Sequence, residues 1–193
     1  MKTRGVAALR TTVIGFLLAA AVAAAAERSA AEGNAAGDAA PRLVILVRHA
    51  EKAAEPPEDP PLTPAGEARA RALAAALRDA GVGAIVTSDA LRTRATAEPL
   101  ARELHLKPLV VATKGRSLED HVAAVAAEVR RHGGEVVLVV GHTDTLPGIV
   151  AALGGPRRLD VPHQEFANLF LLVPDGGGRA RLVRATYGAP DPR

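Results

Sequence analysis

The chain has 193 residues, no cysteine and only 2% aromatic residues. The missing cysteine excludes a disulfide framework and anchoring through a lipidated cysteine, and so few aromatics argue against the stacking platforms that hold single-stranded nucleic acid. The basic excess, 24 Lys and Arg against 21 Asp and Glu, comes from Lys2, Arg4 and Arg10; without those three the count is 21 against 21, and the charge supports no nucleic-acid partner.

Those three basic residues open a segment laid out as a secretory signal peptide, residues 1–26. An uncharged run of Val, Ile, Leu, Phe and Ala covers residues 13–26 and ends in alanines before Glu27, with a small-residue cleavage site expected near residues 24–26. The run is short beside the roughly 20 residues of a transmembrane helix. No stable membrane insertion is therefore expected after cleavage, an uncleaved anchor being the other reading. The expected location is outside the cytoplasm, periplasmic or secreted. Residues 27–41, rich in Ala and Gly with scattered charges, read as a flexible tether. About 150 residues remain, which suits one domain over residues 42–193 with a sizeable core.

That domain opens on Leu43-Val44-Ile45-Leu46-Val47, five consecutive branched apolar residues that read as a strand buried on both faces. Arg48-His49-Ala50-Glu51 follows where this strand leaves the sheet, and open α/β sheets bind ligands beyond the carboxyl ends of their strands. A fixed cation beside an imidazole there points to an anionic substrate and to a nucleophile or base, although two residues alone also fit a surface loop. Residues 52–61 hold four prolines and read as a loop. Thr63 suits an N-cap and Pro64 the first turn of a helix over residues 65–80. Gly66 stands where a strict capping box has an acid, and Gly81 is the expected stop.

Residues 84–87 form the expected second strand. Ser88 or Asp89 is then expected to cap a helix running to about Leu104, with Arg92 in its first turn beside N–H groups that favour anions. A lone arginine on such a helix is usually solvated; one that follows a strand end, as Arg48 does, can share its crevice. Leu109-Val110-Val111 is an expected third strand. Ser117 caps a helix reaching about His132, with Glu119 and Asp120 in its first turn. Residues 135–140 are the clearest strand of the chain, ending in Gly141-His142-Thr143-Asp144, where the glycine lets the backbone come close. A short helix to about Leu153 follows. Residues 168–173 and 181–187 flank Asp175-Gly176-Gly177-Gly178 and read as an antiparallel hairpin. The expected fold is α/β: a three-layer α/β/α sandwich with a mostly parallel central sheet and a C-terminal antiparallel hairpin at one edge.

Three motifs, in this order, resemble the histidine phosphatase superfamily, also called phosphoglycerate mutase-like. They are Arg48-His49-Ala50-Glu51, Ser88-x-x-x-Arg92-x-x-x-Thr96-Ala97, and Gly141-His142 after a long apolar strand. Leu62-Thr63-Pro64-x-Gly66 is similar to the family's segment after the first motif, and the resemblance spans residues 43–187. It implies that His49 is the nucleophile that accepts the phosphoryl group and that Arg48, Arg92 and His142 bind the phosphoryl oxygens. The physics agrees: phosphoryl transfer needs positioning and charge stabilisation, arginines stay charged and bind bidentately, and a neutral imidazole attacks through one nitrogen while the other donates to a carbonyl. No metal or other cofactor is implied, since neither His49 nor His142 has a second ligand at helical spacing. His105, His121, His132 and His163 carry no motif and are expected at the surface or at helix ends.

The leaving-group acid stays open. The family commonly has a carboxylate between the arginine motif and the second histidine, in an acidic segment absent here. Glu119 and Asp144 are the candidates, ahead of Glu51 and Glu165, and a phosphoramidate or acyl phosphate would leave without a strong acid. No long insertion caps the site, which is similar to the small members of the family: phosphohistidine phosphatases and the exported lipopolysaccharide-core heptose phosphatases. The resemblance thus implies a small exported phosphatase acting on phosphomonoesters or phosphoramidates, carried by a small molecule, a glycan or a protein. The alternative is a non-catalytic phosphate-binding module on the same fold.

Overall fold

The computed structural model describes residues 40–191; the predicted signal peptide and all but the end of the predicted tether lie outside the described residues. Six strands form one sheet in the order β3-β2-β4-β1-β5-β6. They are β1 (Leu43–Arg48), β2 (Val82–Ser88), β3 (Leu109–Val111), β4 (Val136–Gly141), β5 (Asn168–Pro174) and β6 (Ala180–Thr186). Strands β1 to β4 pair in parallel, while β5 runs antiparallel to β1 and β6 antiparallel to β5. Four helices connect them: α1 (Pro64–Leu77), α2 (Leu91–Glu103), α3 (Leu118–Arg130) and α4 (Leu146–Ala152). The fold is a mostly parallel α/β sandwich with an antiparallel pair at one edge.

Period-two alternation along the central strands builds the layers. Val44 and Leu46 of β1, with Val137 and Val139 of β4, face a core closed by Val125 and Val129 of α3 and Ile149 and Val150 of α4. Ile45 and Val47, with Leu138 and Val140, face the opposite core, closed by Leu73 and Leu77 of α1 and Leu100 of α2. A strand apolar at every position can therefore lie only between two helical layers. Each such side chain contributes about 1.5–3 kcal/mol on full burial.

Helix α1 shows how local chemistry sets the loop around the first motif. The Thr63 hydroxyl accepts from Gly66 N at 3.1 Å, and the Thr63 backbone N–H donates to the Glu51 carbonyl at 2.9 Å. A Cβ on Gly66 would collide with that same Glu51 carbonyl oxygen. The residue that breaks the capping box is thus the one that lets α1 press against the chain just after β1. The helix stops at Leu77, before Gly81; a turn intervenes, and Gly81, at φ 69°, reverses the chain into β2.

Arg69 of α1 is buried, and its charge is matched. Its Nε lies 2.9 and 3.0 Å from the two Glu51 carboxylate oxygens, its Nη2 3.3 Å from Asp191, and its Nη1 donates to the Ala189 carbonyl at 2.9 Å. Asp191 also accepts from Phe166 N at 2.9 Å and Ala167 N at 3.0 Å. Burial acts to lower the guanidinium's pKa, but the Glu51 hydrogen bonds and the two carboxylate charges raise it.

Candidate active site

Strand register brings the site together. In the β1/β4 ladder Arg48 lies opposite Gly141, so the next residues, His49 and His142, leave the sheet side by side. His49 N donates to the Gly141 carbonyl at 3.0 Å, and the two rings stand 5.4 Å apart at 62°. Strand β2 flanks β4 on its other side with Thr87 opposite Val140, which delivers Ser88 and, one helical turn later, Arg92. Gly141 has a steric reason: a Cβ there would lie 3.0 Å from the Leu146 side chain and 3.1 Å from the Thr145 hydroxyl. That hydroxyl accepts from His142 N at 3.0 Å and starts the turn into α4.

Hydrogen bonds determine both imidazole tautomers. His49 Nδ1 is 2.8 Å from the Ala50 carbonyl; a carbonyl only accepts, so Nδ1 carries the proton and Nε2 keeps its lone pair. Arg92 Nη2 lies 3.4 Å from His142 Nδ1. A guanidinium only donates, so here Nδ1 accepts and Nε2–H donates to Ser88 Oγ at 2.9 Å. The Ser88 hydroxyl in turn donates to Thr93 Oγ1 at 2.8 Å, and Thr93 donates to the Ala90 carbonyl at 2.8 Å. Burial pushes His49 down to about 3, helped by the charges of His142, Arg48 and Arg92. Burial and the Arg92 charge push His142 down to about 4. Both rings are neutral at pH 7.

The arginines are held but not neutralised. Arg48 Nη1 donates to the carbonyls of Pro162 and His163, and its guanidinium carbon lies 4.2 Å over the Phe166 ring centre, a cation–π contact. Arg92 Nη1 is 3.8 Å from the half-exposed Asp59 carboxylate. The Nε–H of each arginine is buried without an acceptor among the described residues, a condition that costs about 1–3 kcal/mol per donor until an anion meets it. A cleft of about 540 Å³ opens over these groups; Arg48, Arg92, Lys52 and Arg116 line it against a single carboxylate, Asp144. Such a cleft attracts an anion and presents it to the free lone pair of His49.

Of the residues singled out from the sequence, Arg48, His49, Arg92 and His142 come together in this cleft, and Asp144 stands exposed in its wall. Glu119 does not: it is exposed in the first turn of α3 and lines no part of the cleft. Glu51 is committed to Arg69 and Glu165 accepts from Asn168 Nδ2 at 2.6 Å. The expected cap of α2 is corrected. Ala90 occupies the cap position without a side-chain bond, because the Ser88 hydroxyl is used by His142 and Thr93 and the Asp89 carboxylate by Thr113 N and Oγ1, at 2.8 and 2.6 Å. Asp59, from the proline-rich loop, accepts from Leu91 N at 2.8 Å instead. His121 is corrected, since it is only 4% exposed and lines the cleft, while His163 is exposed as expected but also lines the cleft. Thr96, part of the second motif but without an assigned role there, accepts from Ala50 N at 2.9 Å and ties the first motif to α2. Among the described residues no group of three or more His, Asp and Glu is placed to hold a metal ion.

Residues 44–114 match the family model of the histidine phosphatase superfamily (branch 1). No curated protein matches the chain. Among solved structures the chain is similar to the protein histidine phosphatase SixA complexed with tungstate, at 21% identity and TM-score 0.57, covering 75% of this chain and 96% of that one. A SixA from Nakamurella multipartitia, assigned as a phosphohistidine phosphatase, is 25% identical at TM-score 0.53, over 77% of this chain and 96% of its own. The mycobacterial glucosyl-3-phosphoglycerate phosphatase is 18% identical at TM-score 0.54, over 77% and 99%.

Proposed function

From the match of residues 44–114 to the histidine phosphatase superfamily and the geometry of the cleft, we propose that the chain belongs to that superfamily and is a phosphatase that hydrolyses phosphomonoesters or phosphoramidates through a phosphohistidine on His49. One observation carries the reading. The His49 ring, neutral and tied through Nδ1–H to the Ala50 carbonyl, keeps an Nε2 lone pair in a cleft where two permanent cations can hold phosphoryl oxygens.

In this mechanism Arg48 and Arg92 bind the phosphoryl oxygens and stabilise the charge they carry in the transition state. His142 becomes the third oxygen contact when the bound dianion brings a proton to its Nδ1, while its Nε2–H stays on Ser88. His49 attacks phosphorus, the leaving group departs with a proton, and water then attacks the phosphohistidine and returns His49 to its starting state. The substrate is a phosphorylated small molecule, glycan or protein, and an open cleft without a capping insertion suits a bulky one. The signal-like residues 1–26 support export to the periplasm or beyond. A non-catalytic phosphate-binding module is the second reading, favoured by the absence of Glu119 from the cleft.

The test is hydrolysis of 4-nitrophenyl phosphate in excess EDTA by the protein and by His49→Ala, with acid-quenched samples assayed for protein-bound phosphate. Activity is expected to survive EDTA, to fall by roughly 10⁴-fold or more in the variant, and to proceed through a bound phosphate that chases rapidly. Undiminished activity in His49→Ala would overturn the mechanism, and a bound phosphate that never turns over would favour the binding module.

A further inference from the structure

We propose that His121 is the group that protonates the leaving oxygen, which deepens and rests on the phosphohistidine reading above. Its imidazole is 4% exposed, in the first turn of α3, and forms part of the cleft wall. Nδ1 lies 3.2 Å from the Ala112 carbonyl, so Nδ1 carries a fixed proton and Nε2 is the exchangeable position. Nε2 has no hydrogen bond to any described residue and is not sealed from solvent, and the residue lines the cleft. A buried imidazole with one nitrogen clamped and the other facing the substrate space has the form of a proton carrier.

The carboxylates fit the task less well. Glu119 and Glu51 are outside the cleft or spent on Arg69. Asp144 lines the cleft but is exposed, without the enclosure that holds His121. The charged and titratable groups that share the cleft with His121 are Arg92 from α2, His142 and Asp144 from the β4–α4 turn, Arg116 from the preceding loop, Arg48 from β1, His49 and Lys52 from the segment after it, and His163, with Glu119 and Asp120 on its own helix.

The steps balance. As His49 Nε2 bonds to phosphorus, the bond from phosphorus to the leaving oxygen breaks, and the proton on His121 Nε2 passes to that oxygen. Water then attacks the phosphohistidine; His121 Nε2 takes the water's proton, the phosphorus–nitrogen bond breaks with its electron pair returning to His49, and orthophosphate departs. His121 ends protonated, ready for the next turnover.

The test is leaving-group dependence of kcat/KM, with 4-nitrophenyl phosphate beside an alkyl phosphate, in the protein, His121→Asn and Asp144→Asn. Asparagine can place an amide N–H where Nδ1–H stood, so the Ala112 bond and the fold are preserved. His121→Asn is expected to lose about 10²-fold or more on the alkyl ester and only a few-fold on the nitrophenyl ester, whose leaving group needs no proton. A merely structural histidine would lower both rates alike, and that result overturns the assignment, as does a selective alkyl-ester loss in Asp144→Asn. Full activity in His49→Ala is a different failure, since it removes the phosphohistidine itself.

Discussion

Two buried arginines of this domain, Arg69 and Arg48, are built on opposite terms. Arg69 meets Glu51, Asp191 and the Ala189 carbonyl, so that its charge is answered by the protein. Arg48, at the end of β1, meets two carbonyls and the face of Phe166 among the described residues, and burial lowers its pKa where that of Arg69 is raised. Arg92 has one loose carboxylate at 3.8 Å. An arginine matched by carboxylates holds shape. One that is buried among histidines and dipoles keeps its field for a charge brought from outside.

The sharpest way to break this contrast is to truncate each arginine in turn. Arg48→Ala and Arg92→Ala are expected to lower kcat/KM by about 10²–10³-fold, with urea midpoints unchanged or raised because an unmatched charge has gone. Arg69→Leu should do the reverse, costing about 3–5 kcal/mol of stability by stranding its carboxylates, while at low temperature its activity falls far less than that of either other variant. Turnover abolished in a fully stable Arg69→Leu protein would erase the distinction.

A finer probe is Ser88→Ala, which removes the acceptor that holds His142 in its Nε2–H tautomer. The loss of a hydrogen bond worth about 1 kcal/mol corresponds to roughly fivefold in rate, and the ¹⁵N shifts of His142 should show a tautomer mixture. A rate loss with the tautomer unmoved would mean that Ser88 acts only through packing.

The smallest effect is on stability against pH. His49 and His142 have folded-state values of about 3 and about 4, below the ordinary 6.5. The unfolded chain therefore binds more protons than the folded one between pH 6.5 and those values, so stability is full above pH 6.5 and declines as acid is added toward pH 4 and 3. Urea midpoints measured across that range should fall with acid, and His49→Gln should flatten part of the slope. An unchanged slope would mean that His49 is not buried neutral.

Strands β1 and β4 were legible because an unbroken apolar run has only one place to go in a layered α/β fold, and the motifs at their ends carried Arg48, His49 and His142 with them. The edge hairpin was legible from the Asp-Gly-Gly-Gly turn. Ser88 was misread as a helix cap because its partner, His142, is distant in sequence, and nothing local reveals that β2 lies beside β4. His121 was discounted for the same reason: a histidine in a polar first turn looks solvated until the β3–α3 loop is seen folding it under the Ala112 carbonyl. Arg69, in an alanine-rich helix, gave no sign that its partners lay at Glu51 and Asp191. Local pattern records which elements form; the pairing of distant polar side chains depends on strand order, which that pattern does not record.

The Asp191 carboxylate joins two jobs that are usually separate. It takes the backbone N–H groups of Phe166 and Ala167 while pairing with Arg69, and Phe166 is the plate beneath the Arg48 guanidinium. The stretch around Asp191 is thus a footing for the cleft, and anyone trimming the protein before Asp191, or splicing a purification handle tightly against it, would be loosening Arg48 of the proposed site from a distance.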